Sequence, residues 1–379
     1  MAFMLQEPPV FIIGPARSGT TLVMAMIGAH PRIAVPEVTW YYPRFRPYLF
    51  TYGDLGREAN FRTFAEEMVF GLRPPFFGLK VNPRTVGSEV LTYVPERTFA
   101  GMFAGVMAWY AASEGKPRWG EKTPYNVFHI GSILEDFPNA QVIYVTRDGR
   151  DTCADHLRSA FGPTNIFCAA ETWKLWMQHA KRWRAEAPSG QWLDVRYETL
   201  VREPEATLRS VCAYLGEEYS PTMLEFCRGR VAQARGLHRD HKTLAGPVSD
   251  KYIGIHKEFL SLREQRIFAT VAGRELVECG YPLDVEPIAI SDEEAKLFRE
   301  LDGRIRAATL DAPHGQIEWE SYNDWLIDQR EVRRRQGVWS EADRPNAFPL
   351  GDPNEELIAG QRAWRRWKEY FGIKRRYII

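Results

Sequence analysis

The sequence predicts an α/β protein: a mostly parallel sheet with helices on both faces, followed by a C-terminal helical extension. Three observations carry this. Short apolar, β-branched runs alternate with longer stretches of helical spacing from Pro9 to about Leu215. The first of these runs passes through a glycine-containing turn directly into a helical stretch. Arg17, Lys122 and Arg147 each follow a predicted strand closely, at the edge where open parallel sheets hold their ligands.

Taken in order, Pro9–Gly14 reads as a buried strand, Pro15–Thr21 as a turn and Leu22–Ile27 as the start of a helix. An aromatic, proline-rich stretch from Pro31 to about Pro75 includes Trp40-Tyr41-Tyr42-Pro43 and suits a substrate-facing loop or cap as well as core packing. Helical spacing covers Thr98–Ser113. Trp119–Pro124 reads as a short strand leading into a turn, since Pro124 lacks the N–H a central strand needs. Helical spacing resumes at Val127–Phe137. Gln141–Thr146 is the clearest buried strand, and a helix follows through Ala160. A tryptophan-bearing helix runs over about Ala170–Ala187, then a strand over Trp192–Tyr197 and a helix through Leu215. From about Glu286 the chain becomes charged and helical, interrupted at Pro345–Pro353. Its last stretch, Arg362–Arg376, sets Trp364, Trp367 and Phe371 at helical spacing among seven basic residues. Such a stretch docks onto the domain or a second subunit, or else meets an anionic surface. The expected organisation is therefore residues 1–285 as the main domain and 286–379 as the extension.

The chemistry concentrates in the first turn. Consecutive backbone N–H groups at a glycine turn, aimed from the positive end of a helix, form a site for phosphate or a similar oxyanion. Arg17 adds a guanidinium fork, Gly19 permits close backbone approach, and Ser18, Thr20 and Thr21 add hydroxyls. The spacing Gly14-x-x-x-x-Gly19 is P-loop-like, yet Thr20 stands where a nucleotide triphosphatase needs lysine. That disfavours a kinase or NTPase, and a non-catalytic nucleotide-binding scaffold is the alternative from another class.

Composition narrows the partners. Of 379 residues, 49 are Lys or Arg and 49 Asp or Glu, so the formal net charge is zero and no global field attracts a polyanion such as nucleic acid. No apolar stretch approaches a membrane span, and Met1–Glu7 lacks signal-peptide character, so the expected location is cytoplasmic. The five cysteines, at 153, 168, 212, 227 and 279, form no C-x-x-C pair and read as buried, reduced thiols. No metal-ligand cluster stands out.

Several segments together resemble one family, the sulfotransferases that use 3′-phosphoadenosine 5′-phosphosulfate (PAPS), in particular the bacterial and tyrosylprotein-sulfotransferase-like branch. The resemblance covers about Pro9–Pro282. It rests on Pro15-Ala16-Arg17-Ser18-Gly19-Thr20-Thr21 with Ala29-His30-Pro31, Glu121-Lys122-Thr123-Pro124, Arg147-Asp148-Gly149-Arg150-Asp151, Val195-Arg196-Tyr197-Glu198-Thr199-Leu200 with Pro204, and Lys251-Tyr252-Ile253-Gly254 before Gly280-Tyr281. It implies that Arg17, Ser18, Gly19, Thr20 and Thr21 hold the 5′-phosphosulfate, that Arg147 holds the 3′-phosphate, and that Tyr197 contacts the adenine. Lys251 falls in the segment that closes over the 3′-phosphate end in relatives, where His256 replaces a common tryptophan. Lys122 matches the lysine that reaches the sulfuryl group. The implied reaction moves the sulfuryl group in line from PAPS to an acceptor hydroxyl on a small molecule, sugar, lipid or peptide, without a metal. Phosphoryl transfer serves as the analogous template. A homo-oligomer formed through the C-terminal extension is a further expectation.

Two functional features depart from the family pattern, the general base and the 3′-phosphate contact. Where cytosolic relatives carry a histidine two residues after the lysine, this chain has Pro124. Tyrosylprotein-type relatives use a glutamate shortly after the His-Pro segment, and gapless alignment puts Val38 there with Glu37 one residue before it. Glu37 is the first choice for general base, and Glu121 and His129 are the alternatives. Eight residues after Arg147, where the family usually has serine, stands Asp155. A carboxylate at ~4 Å from a phosphate charge is unfavourable by roughly 4 kcal/mol at an effective dielectric of 20. The expectation is that Asp155 turns away and pairs with Arg158.

Overall fold

Val10, Phe11, Ile12 and Ile13 are all fully buried and form the central strand of a five-stranded sheet. The computed structural model describes residues 7–70, 83–159, 162–236, 244–309 and 316–345. The strands are β1 (Val10–Ile13), β2 (Ile33–Ala34), β3 (Arg118–Lys122), β4 (Gln141–Thr146) and β5 (Trp192–Arg196). They lie in the order β2-β3-β1-β4-β5, and every pairing is parallel. Ile12 sits opposite Lys122 on one side and Ile143 on the other. Because all strands run the same way, their carboxyl ends share one edge, and the segments after them meet there.

A strand turns alternate side chains to opposite faces. Phe11 and Ile13 accordingly join the larger core, while Val10 and Ile12 join the smaller one. The larger core is covered by helices Phe99–Ser113, Ile166–Glu186 and Leu262–Glu278, and the smaller by Thr20–Gly28 and Pro204–Leu215. The Phe99–Ser113 helix is buried nearly all round, which its Ala, Gly, Met and Phe composition permits, and Thr98 caps it by accepting from Gly101 N at 2.9 Å. Among the described residues no helix is long and apolar enough to cross a membrane.

Four expectations change in detail. A 3₁₀ turn, Pro124–His129, opened by proline at its first position, precedes a shorter helix, Ile130–Asp136. The helix after β5 splits into Tyr197–Arg202 and Pro204–Leu215 at Pro204. Strand β2 and helices Tyr41–Phe45 and Glu58–Phe70 lie within the stretch read as loop or cap. Its Tyr41 and Tyr42 are core residues: Tyr42 meets Phe99 and Phe103 edge-on, with centroids 5.1 and 5.3 Å apart. All five cysteines are free thiols; Cys153, Cys168 and Cys212 are buried, whereas Cys227 and Cys279 are partly exposed.

The described part of the C-terminal extension packs on the sheet domain. Phe298, in helix Asp292–Thr309, stacks on Phe167 at 5.2 Å, and Asp302 accepts from Thr164 N at 2.6 Å. Helix Gln316–Arg335 contributes Tyr322 and Leu326 to the larger core. Its Arg333 pairs with buried Glu67, which also accepts from Tyr52 Oη at 2.5 Å, and Arg333 Nε donates to Thr51 O at 2.9 Å. Removing one member of a buried ion pair strands the other charge. Glu67→Ala is therefore expected to destabilise the protein by about 3–5 kcal/mol in denaturant unfolding. A loss below about 1 kcal/mol, the range of an exposed pair, would show that water replaces the carboxylate. The Arg362–Arg376 segment lies outside the described residues.

Candidate functional site

The turn between β1 and helix Thr20–Gly28 is shaped by positive φ at Gly14 (153°), Arg17 (70°) and Gly19 (96°). At Gly19 a Cβ would come within 2.6 Å of the Tyr197 ring, so only glycine lets the turn close against β5's following residue. Arg17 holds the left-handed region without that freedom, a strain of the kind that collects at functional sites. The first-turn N–H groups of Thr20 and Thr21 have no acceptor within the helix and point outward with its positive end. Ser18 corrects the sequence reading. Its side chain is fully buried, the hydroxyl donates to Pro15 O at 2.6 Å and the amide to the same carbonyl at 3.1 Å, so Ser18 closes the turn from inside. Thr20 is buried and Thr21 is half-buried at the mouth.

Lys122 ends β3, is nearly buried, and donates from Nζ to Thr21 Oγ1 at 3.3 Å. The parallel register beside β1 brings this ammonium to the turn from a residue 101 positions away. Its neighbour Glu121 is a structural hub. Glu121 Oε1 accepts from Thr39 at 2.8 Å and Thr123 at 2.5 Å, and Oε2 from Asn126 at 2.6 Å. Burial raises its pKa, partly offset by those hydroxyl hydrogen bonds. Thr39 lies two residues after Glu37, which is buried and three residues beyond β2. Glu121 thus fastens the Glu37 segment to the Lys122 strand. Trp40, the next residue, adopts φ 58° and packs against Tyr125 with the rings tilted and their centroids 4.6 Å apart; of the three consecutive aromatics only it is partly exposed. His129 is buried beside Tyr42, and burial, with Arg46 nearby, lowers its pKa to about 3. It faces the larger core and stays neutral near neutral pH.

Arg147, just past β4, is held by carbonyls: Nη1 donates to Arg17 O at 2.9 Å and Nη2 to Tyr252 O at 2.7 Å. Its guanidinium lies 4.8 Å over the Tyr197 ring, and its buried Nε has no hydrogen-bond partner among the described residues. Tyr197 therefore sits beneath both the turn and Arg147, with its hydroxyl pKa pushed up to about 12 by burial. The segment carrying exposed Lys251 is pinned nearby through Asp151, which accepts from Gly254 N at 2.7 Å, His256 N at 3.0 Å and His256 Nδ1 at 2.5 Å. The desolvation that would raise the Asp151 pKa is outweighed by these hydrogen bonds, which lower it. No local sequence signal announces this pair, because 105 residues separate its members.

Asp155 does not turn away. Its Oδ1 is 3.0 Å from Arg17 Nη2 and its Oδ2 3.3 Å from Arg147 Nη1, while the Arg158 guanidinium lies 3.7 Å over the Phe259 ring. The sequence reading placed Asp155 and Arg158 on one helical face. Arg158 is instead the C-cap of helix Gly149–Leu157, and the two fixed arginines offer the carboxylate a stronger field. The site as a whole presents backbone amides, two arginines and a lysine around one edge, suited to a ligand with separated anionic groups. Among the described residues no group of three or more His, Cys, Asp or Glu side chains is arranged to hold a metal.

A sequence model of the sulfotransferase family matches residues 8–221, more than half of the 379-residue chain. The chain belongs to the sulfotransferase family. Protein-tyrosine sulfotransferase 2 of Gallus gallus is 25% identical over 226 residues, covering 58% of this chain and 54% of that protein. The chain thus spans about half the length of that relative. Nodulation protein NoeE of Sinorhizobium fredii is 21% identical over 386 residues, covering 90% of this chain and 84% of that protein. The sulfotransferase domain of the Synechococcus PCC 7002 olefin synthase shares 16% identity at a TM-score of 0.47, over 78% of this chain and 96% of that one. The stretch matched to the sulfotransferase family contains Arg17–Thr21, Lys122, Arg147 and Tyr197, and Lys251 lies beyond it.

Proposed function

We propose that the protein transfers a sulfuryl group from PAPS to an acceptor hydroxyl. The observation that carries this reading is the meeting of the first-turn amides, Arg17, Lys122 and Arg147 at one sheet edge in a chain of this family. Thr20 in the position of a P-loop lysine sets it apart from nucleotide kinases. The residues suit a donor with an anion at each end of its ribose. The Thr20 and Thr21 amides and Arg17 take the 5′-phosphosulfate, and Arg147, whose buried Nε has no partner among the described residues, takes the 3′-phosphate with Lys251 nearby. Transfer forms a bond from the acceptor oxygen to sulfur and breaks the bond from sulfur to the 5′-phosphate oxygen, which leaves with the electron pair. Lys122 and Arg17 stabilise the charge growing on that oxygen, and Glu37 accepts the acceptor's proton. The tyrosine hydroxyl, named for the relatives, is the acceptor class to assay first, beside sugar, lipid and small-molecule hydroxyls.

The donor assignment is tested by thermal shift. At a hundredfold excess over Kd, 3′-phosphoadenosine 5′-phosphate is expected to add about 2.7 kcal/mol of stability, and Arg147→Ala to remove most of that gain. Equal stabilisation by adenosine 5′-phosphate, which lacks only the 3′-phosphate, would refute it.

A further inference from the structure

We propose that Asp155 is an internal anion that occupies the Arg17–Arg147 pair in the free protein and competes with the donor's 3′-phosphate. The inference rests on the donor reading above and adds a residue that limits how tightly the donor and its 3′-phosphorylated product are held.

The geometry is specific. The Arg147 guanidinium is held by the carbonyls of Arg17 and Tyr252, and Arg17 enters from a turn whose backbone is in the left-handed region. Asp155 reaches both with one carboxylate, an oxygen on each, at 3.0 and 3.3 Å. The arginine side chains are 12% and 4% exposed and the carboxylate 22%, so the triad is largely shielded from water and Asp155 is its most exposed member. Such a position is where an anion bound by Arg147 has to come. The group carries a net charge of +1 instead of the +2 that two arginines alone would offer. His156, next in the helix, adds no positive charge near neutral pH, because burial and then Arg17 lower its pKa to about 4. A phosphate arriving at Arg147 must exchange with the carboxylate or sit beside it, and either route weakens binding. A serine or asparagine here would donate a hydrogen bond without contributing a negative charge.

The test compares 3′-phosphoadenosine 5′-phosphate with adenosine 5′-phosphate by isothermal titration of the full chain at fixed salt, using wild type, Asp155→Ser and Asp155→Asn. The two nucleotides differ only by the 3′-phosphate. In both variants the preference for the 3′-phosphorylated nucleotide is expected to rise at least tenfold, equivalent to about 1.4 kcal/mol. The asparagine variant keeps the side-chain shape, so agreement between the two separates charge from packing. An unchanged preference, or equal tightening of both nucleotides, would overturn the role of Asp155 while leaving the donor reading intact. If neither wild type nor variant prefers the 3′-phosphorylated nucleotide, the donor reading fails and this inference fails with it.

Discussion

Lys122→Ala is expected to lower kcat by about 10²- to 10³-fold, the usual loss when one pre-oriented charge stabiliser is removed. Donor affinity should change far less. The ammonium is placed by β3, whose register against β1 is fixed by buried side chains on both faces, and it meets Thr21 at the helix start. It sits where charge develops on the leaving oxygen, so its contribution is larger in the transition state than in the ground state. Steady-state kinetics beside titration with 3′-phosphoadenosine 5′-phosphate separates the two. Parallel losses in binding and in kcat/KM, with kcat retained, would mark Lys122 as a ground-state ligand only.

Glu37→Gln is expected to lower turnover by about 10²- to 10⁴-fold, the range for removal of a positioned general base. Glutamine keeps the size of the side chain and cannot take the proton. A base acts in its deprotonated form, so an acidic limb in the wild-type pH profile should vanish in the variant. The alternatives are less suited on geometric grounds. Both carboxylate oxygens of Glu121 are engaged by Thr39, Thr123 and Asn126 with no exposed surface, and neutral His129 lies in the core beside Tyr42. An active Glu37→Gln enzyme with an unchanged pH profile would remove Glu37 from the reaction and leave the proton to the acceptor's own groups or to solvent.

Much of this protein is determined by sequence-local physics. Val10–Ile13 and Gln141–Thr146 are short β-branched runs buried on both faces, so composition alone marks them as central parallel strands. Gly14 and Gly19 are needed where the backbone takes positive φ, and this marks the turn; the strand ends that follow place Lys122 and Arg147 at the same edge. What escaped depends on partners far apart in the chain. Strand β2 has two residues, too few for any periodicity, and exists because Ile33 and Ala34 find Arg118 and Trp119 beside them. The direction of a side chain is likewise a tertiary property: Ser18 turns inward to Pro15, and Tyr41 and Tyr42 turn into a core completed by helix Phe99–Ser113. Helix Gln316–Arg335, charged along its length, packs there through Tyr322 and Leu326 and through Arg333, which meets Glu67 and Tyr52. Asp155 shows the limit most plainly. Three residues along a helix, Arg158 is the partner local spacing suggests, but a carboxylate goes to the strongest fixed positive field, and that field is made by Arg17 and Arg147, which only the folded sheet brings together.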